Sequence, residues 1–142
     1  MFSKENSRIL RETFWISFGK SFPRKWILYQ TKLKGLAFKF HFDTKSAMVT
    51  LDIEGTTENR IKYWRKLQSL QEILINEYLP NAIFAESYAL DNGKEISRVY
   101  VLIDDKVSIH NKESWQHTMI FFNETMDAFE NFYDTYKDFI SV

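Results

Sequence analysis

Three carboxylates, Asp43, Asp52 and Glu54, come nearest in this sequence to a set of residues that could carry a reaction. Asp43 ends one alternating stretch, and Asp52 and Glu54 lie two apart on the next, so a hairpin would put all three on one face of adjacent strands. Strand carboxylates that converge can hold a magnesium ion against a scissile phosphate. Nucleases built this way usually place a lysine two residues beyond the second carboxylate. Here Glu54 is followed by Gly55 and Thr56, and Asp52 by Ile53 and Glu54. Glu86-Ser87-Tyr88 and Glu95-Ile96-Ser97 lack the lysine as well. The pattern favours a solvated polar strand face over a metal centre, and no cofactor is expected.

Other chemistries leave less trace. Glu113 and His117 are four apart and would share a helix face, but no third ligand is near in sequence, so a plain exposed helix start is favoured. The glycines at 19, 35, 55 and 93 are too scattered for a phosphate-binding loop. No serine sits in a Gly-x-Ser-x-Gly elbow. There is no cysteine, which excludes disulfides, thiolate metal sites and a cysteine nucleophile.

A basic stretch is the remaining candidate. Lys20, Arg24, Lys25, Lys32 and Lys34 interleave with Phe22, Trp26 and Tyr29, and Arg60, Lys62, Arg65 and Lys66 form a second cluster. Cations track phosphates and aromatic rings stack on bases, so this composition suits single-stranded nucleic acid. The competing use is internal: the rings serve as core, and the cations pair with carboxylates elsewhere. Net charge is zero, yet residues 1–66 hold 14 Lys/Arg against 6 Asp/Glu, and residues 67–142 hold 5 against 13. Interleaved elements would neutralise one another, whereas segregated ones would give a basic and an acidic face.

The elements that must position these residues begin with the last. Trp115, Met119, Phe122, Met126, Phe129, Tyr133, Tyr136 and Ile140 recur at spacings of 4, 3, 4, 3, 4, 3 and 4, an unbroken stripe along one helix face. With Asn111 as cap, the spacing predicts one helix over 111–140, roughly 40 Å long. A helix is also expected over 3–20, capped by Ser3 and stopped by Pro23, and another from Thr56 or Thr57 to about Tyr78, closed by Pro80. Residues 26–31 are aromatic and β-branched and read as a short strand. Residues 36–43 alternate, with Leu36, Phe38, Phe40 and Phe42 on one face and Ala37, Lys39, His41 and Asp43 on the other. Residues 47–54 follow as the partner strand, with Val49, Leu51 and Ile53 inward. Residues 82–90 and 95–103 form a second hairpin around Asn92-Gly93. The expected fold is one α+β domain over 1–142, ordered α-β-β-β-α-β-β-α, with a mostly antiparallel five-stranded sheet packed by helices on one face.

The stretches Phe2-Ser3-Lys4-Glu5, Phe14-Trp15-Ile16-Ser17-Phe18-Gly19-Lys20, Lys39-Phe40-His41-Phe42-Asp43, Asn92-Gly93-Lys94, Ile96-Ser97-Arg98-Val99-Tyr100, and Trp115 with Glu124-Thr125-Met126 form a set of packing and turn motifs. Together they resemble a bacterial domain of unknown function, family 4268. The likeness covers nearly the whole chain and is closest to the free-standing version found in Bacteroidetes-type bacteria. In other members a similar domain follows a nuclease-like domain, which implies an accessory role near nucleic-acid processing or defence. The resemblance supplies no catalytic residues.

Together these readings lead to an expectation of a non-catalytic interaction module with a protein partner. A nucleic-acid-binding accessory domain is the alternative, and a divergent metal-dependent nuclease is a further one. The charged start without an apolar run, and the lack of any span-length apolar stretch, lead to an expectation of a soluble cytoplasmic protein without membrane attachment. A helix of roughly 40 Å would overhang a five-stranded sheet of about 20–25 Å width. Phe132, Tyr136, Phe139 and Ile140 are therefore candidates for a two-fold interface between copies. The competing cover for the same residues is the first helix, with Phe14 and Phe18.

Overall fold

The computed structural model describes residues 3–142. Helix α1 (Lys4–Ser21) starts where the Ser3 hydroxyl accepts from the backbone N–H of Asn6, and it ends two residues before Pro23. Strands β1 (Leu36–Phe42) and β2 (Ala47–Ile53) form a hairpin. Its turn is held by Asp43, whose carboxylate accepts from the N–H groups of Lys45 and Ser46. Next come α2 (Thr57–Ser69), α3 (Gln71–Glu77), and the second hairpin, β3 (Ile83–Ala89) and β4 (Glu95–Leu102). A 3-10 turn, Lys112–Ser114, leads into α4 (Trp115–Ser141), whose 27 residues span about 40 Å.

The sheet is antiparallel throughout, in the order β1-β2-β4-β3, with four strands where five were expected. The missing strand is residues 26–31. Leu28 and Lys32 have positive φ (46° and 67°), and Gln30 N–H bonds back to Ile27 O, so the segment turns instead of extending. It still runs beside β1, where Phe38 N–H donates to Leu28 O, and thereby covers part of that sheet edge. The buried Glu130 carboxylate of α4 anchors the same segment by accepting from Ile27 N–H and from Arg24.

The expected single helix to Tyr78 is two helices that meet at Leu70. Ser69 Oγ donates to Lys66 O at 2.6 Å, occupying the carbonyl that Leu70 N–H would use in a continuous helix. Leu70 N–H turns to Leu67 O instead, and α2 ends there.

One sheet face carries the core. Leu36, Phe38, Phe42, Val49, Leu51, Ile53, Val99 and Val101 are all buried there. Helix α4 lies on them through Phe122, Met126, Phe129 and Tyr133. Phe14 and Phe18 of α1 pack round Phe122, at 6.0 and 5.7 Å between ring centroids. The far half of α4 is covered by α2 and the segment after α3. The Tyr78 and Phe132 rings are 5.5 Å apart, and the Lys66 ammonium sits 4.3 Å from the Phe139 ring centre. Among the described residues no helix is long and apolar enough to cross a membrane.

Candidate functional site

The second face of the sheet has no helix on it. Among the described residues no helix gives a hydrogen bond, ion pair or ring contact to its groups, yet its centre is buried. Register explains which residues meet there: Asp52 stands opposite Ala37 on one side and Arg98 on the other, and Thr50 stands opposite Lys39 and Tyr100. Long side chains lean over short ones. Asp52 is 0% exposed, Arg98 3% and Thr50 0%, although no layer covers them.

Each charged group of the network on this face has a partner of opposite sign, three cations sharing two carboxylates. Arg98 donates two parallel bonds to Asp52, at 2.7 and 2.9 Å, the geometry in which a guanidinium fits a carboxylate best. Lys39 lies between Asp52 (3.4 Å) and Glu54 (3.2 Å), and Lys94 reaches Glu54 at 2.9 Å. Burial opposes the Arg98 and Lys39 charges, but the carboxylates outweigh it, and both pKa values rise. Glu54 is held below its ordinary value by its bond to Lys94, burial notwithstanding, with Lys39 adding to the effect. His41 bonds Thr50 Oγ1 at 3.0 Å, and burial, with Arg98 beside it, pushes its pKa down to about 4. It is therefore neutral at pH 7.

Aromatic and aliphatic groups surround that network. The bulge between Ala85 and Tyr88 puts Tyr88 opposite Ile96, and its ring lies 4.4 Å from the Arg98 guanidinium. Tyr88 in turn meets Tyr100 edge to face at 5.6 Å. Tyr29, 72% exposed, stands over Lys39 at 5.8 Å. Leu102 and Ile83, at 47% and 44%, expose large apolar side chains on the same face, where Met48 pairs with Leu102 and Ile83 with Tyr100. A groove of about 370 Å³ along β1 joins this surface, lined by Trp15, Leu28, Tyr29, Phe38, Lys39, Phe40 and His41.

The carboxylates named from sequence do not converge. Asp43 belongs to the hairpin turn, six residues along β1 from the partner of Asp52, or about 20 Å. Asp52 and Glu54 do come together, but round the Lys39 ammonium, which stands where a bound cation would.

The basic candidates also separate. Arg24 pairs with Asp127 and Glu130, and Arg60 with Glu95, each joining the basic half of the chain to the acidic half. Lys62 reaches Ser141 O at 3.4 Å, and Lys66 lies over Phe139. Lys20, Lys25, Lys32, Lys34 and Arg65 are exposed and have no ion pair among the described residues. Four of these five lie in the last turn of α1 or the segment from α1 to β1.

The interface candidates require a correction. Phe132 and Ile140 are 0% exposed within one chain, with Tyr78 against Phe132, where a second copy or, as the competing cover, α1 was expected. Only Phe139 and part of Tyr136 reach the surface. Glu130, four residues before exposed Asp134 on α4, is buried and tethers the 24–27 segment. His117 also differs from expectation: its partner is Asp105 at 2.7 Å, across the loop that precedes α4, and Glu113 sits in the 3-10 turn.

Residues 10–137 match a family model described as Domain of unknown function (DUF4268). The chain belongs to that family. No curated protein and no solved structure matches it. The matched span contains all four strands, and hence every group of the network on the helix-free face.

Proposed function

We propose that the chain is a non-catalytic interaction module that docks a protein partner on the helix-free face of its sheet. The observation that carries this reading is the matched charge of that face. Lys39, Lys94 and Arg98 are each already held by Asp52 or Glu54. A polyanion would have to break these pairs to gain phosphate contacts, so the face is poorly suited to nucleic acid. The uncharged side chains that reach the surface of this face are Tyr29, Ile83, Tyr100, Leu102 and Met48. Tyrosine, methionine and a rigidly held arginine are the residue types enriched at the centres of protein interfaces. The groove along β1, with Trp15, Leu28 and Tyr29 in its lining, suits an apolar side chain of the partner.

Affinity capture with three versions of the chain tests the reading. Wild type and Ile120→Asp, altered on the exposed side of α4, should retain the same partner. Leu102→Asp combined with Tyr100→Ala should lose it. A partner retained by the sheet variant and lost by Ile120→Asp would contradict the proposal.

The exposed lysines at 20, 25, 32 and 34, which have no ion pair among the described residues, and exposed Tyr29 in the same stretch of chain support a second reading, single-stranded nucleic acid bound by the segment between α1 and β1. A fluorescence titration with oligonucleotides at two salt concentrations separates the two. Binding at low salt that collapses at high salt, and that is lost on Lys32→Glu with Lys34→Glu, would favour nucleic acid.

A further inference from the structure

The loop leaving β4 brings two carboxylates against an imidazole. Asp104 and Asp105 follow Leu102 and Ile103, and His117 lies in the first turn of α4. One ligand atom from each of the three lies within 4.8 Å of the other two, and all three side chains are exposed. Both backbones are held in place. Ile103 is buried and donates its N–H to Ala47 O, Val107 is buried on the other side of the pair, and His117 stands between buried Trp115 and Thr118.

We propose that Asp104, Asp105 and His117 bind one divalent first-row transition ion, with zinc the ion of choice. Zinc takes carboxylate oxygen and imidazole nitrogen at about 2.0–2.2 Å, so its donors lie roughly 3.3–3.6 Å apart. His117 Nε2 and Asp105 Oδ2 are 2.7 Å apart, and no pair of the three donor atoms is more than 4.8 Å apart, which is close enough for one ion to draw them together. Two carboxylates cancel the charge of the ion, and three protein donors leave a coordination position to water. The imidazole gives the set its selectivity: calcium and magnesium prefer oxygen alone, whereas zinc, nickel and copper accept nitrogen. A plain surface cluster of acids would lack that nitrogen. The site shares no residue with the docking face, so either proposal can fail without the other.

Calorimetry with zinc chloride and magnesium chloride tests it, on the full chain stripped of metal and free of any polyhistidine tag. The expected result is one zinc per chain at micromolar affinity, with magnesium at least about a hundredfold weaker. His117→Ala and Asp105→Asn should each weaken zinc by at least about tenfold, while His110→Gln leaves it unchanged. Cobalt substituted for zinc should give a d–d absorption band that His117→Ala abolishes. Zinc should raise the melting temperature of the wild type and not of His117→Ala, which checks folding and binding together. The proposal is overturned by no saturable zinc binding, by equal affinity for magnesium, or by zinc binding that both site variants retain.

Discussion

Asp52→Val should be among the most damaging single changes on the surface of this protein, although no structural layer covers Asp52. It leaves the Arg98 guanidinium, 3% exposed, beside Tyr88 and His41 with no carboxylate partner among the described residues. An uncompensated buried charge of this kind costs about 3–5 kcal/mol, a large part of the roughly 5–15 kcal/mol that holds a domain together. Arg98→Met should cost less, about 1–3 kcal/mol, because the Lys39 ammonium at 3.4 Å still compensates Asp52. The double variant restores charge balance with an apolar pair on a strand face and should lie within about 1.5 kcal/mol of wild type. Urea unfolding followed by tryptophan fluorescence and circular dichroism gives the four stabilities. The double-mutant cycle should show a coupling of at least about 2 kcal/mol. Strictly additive losses, or an Asp52→Val cost below about 1 kcal/mol, would refute the reasoning and return the pair to the class of weak surface ion pairs.

Two further outcomes follow from particular positions. His41 titrates near 4 in the folded chain and near 6.5 when unfolded, so the unfolded state takes up a proton first as pH falls. Its contribution is intact above pH 6.5 and is lost between there and pH 4. After discounting for partial exposure the loss comes to about 2 kcal/mol, and thermal melts of His41→Asn should be flatter over that window than those of wild type. Gly35 has φ of 87°, and a Cβ there would stand 2.3 Å from Glu54 O. Gly35→Ala should therefore cost about 2–5 kcal/mol by chemical denaturation; a loss below about 1 kcal/mol would show that the β1–β2 entry relaxes freely.

Much of the fold could be read from the sequence where side chains alternate with a clear period. The β1–β2 hairpin follows from Leu36, Phe38, Phe40 and Phe42 against Val49, Leu51 and Ile53, the second hairpin from Asn92-Gly93, and α4 from its four-three spacing. Residues 26–31 misled because their composition suits a strand, whereas positive φ at Leu28 and Lys32 is imposed by tertiary anchors on Glu130 and β1. At the break at Leu70 the Ser69 hydroxyl bonds Lys66 O and the Leu70 N–H bonds Leu67 O. No local pattern signals that.

The site was legible only in part. Asp52 and Glu54 stand out as outward acids, and Lys39 and His41 as their neighbours on β1. Their decisive partner, Arg98, lies 46 residues from Asp52 and meets it only through the β2–β4 pairing. An arginine at an outward position of a strand otherwise rich in apolar residues was the available sign. His117 with Asp105 was hidden by its span across a loop and a helix start, where no periodicity links the two.

The most direct test of the docking face is photo-crosslinking in cells, with a photoreactive phenylalanine analogue in place of Tyr100 in one strain and of Ile120 in another. The docking proposal predicts a discrete crosslinked product from position 100 that is absent when Leu102→Asp is added, and none from position 120. A product from position 120 alone, or one from position 100 that Leu102→Asp leaves undiminished, would contradict it.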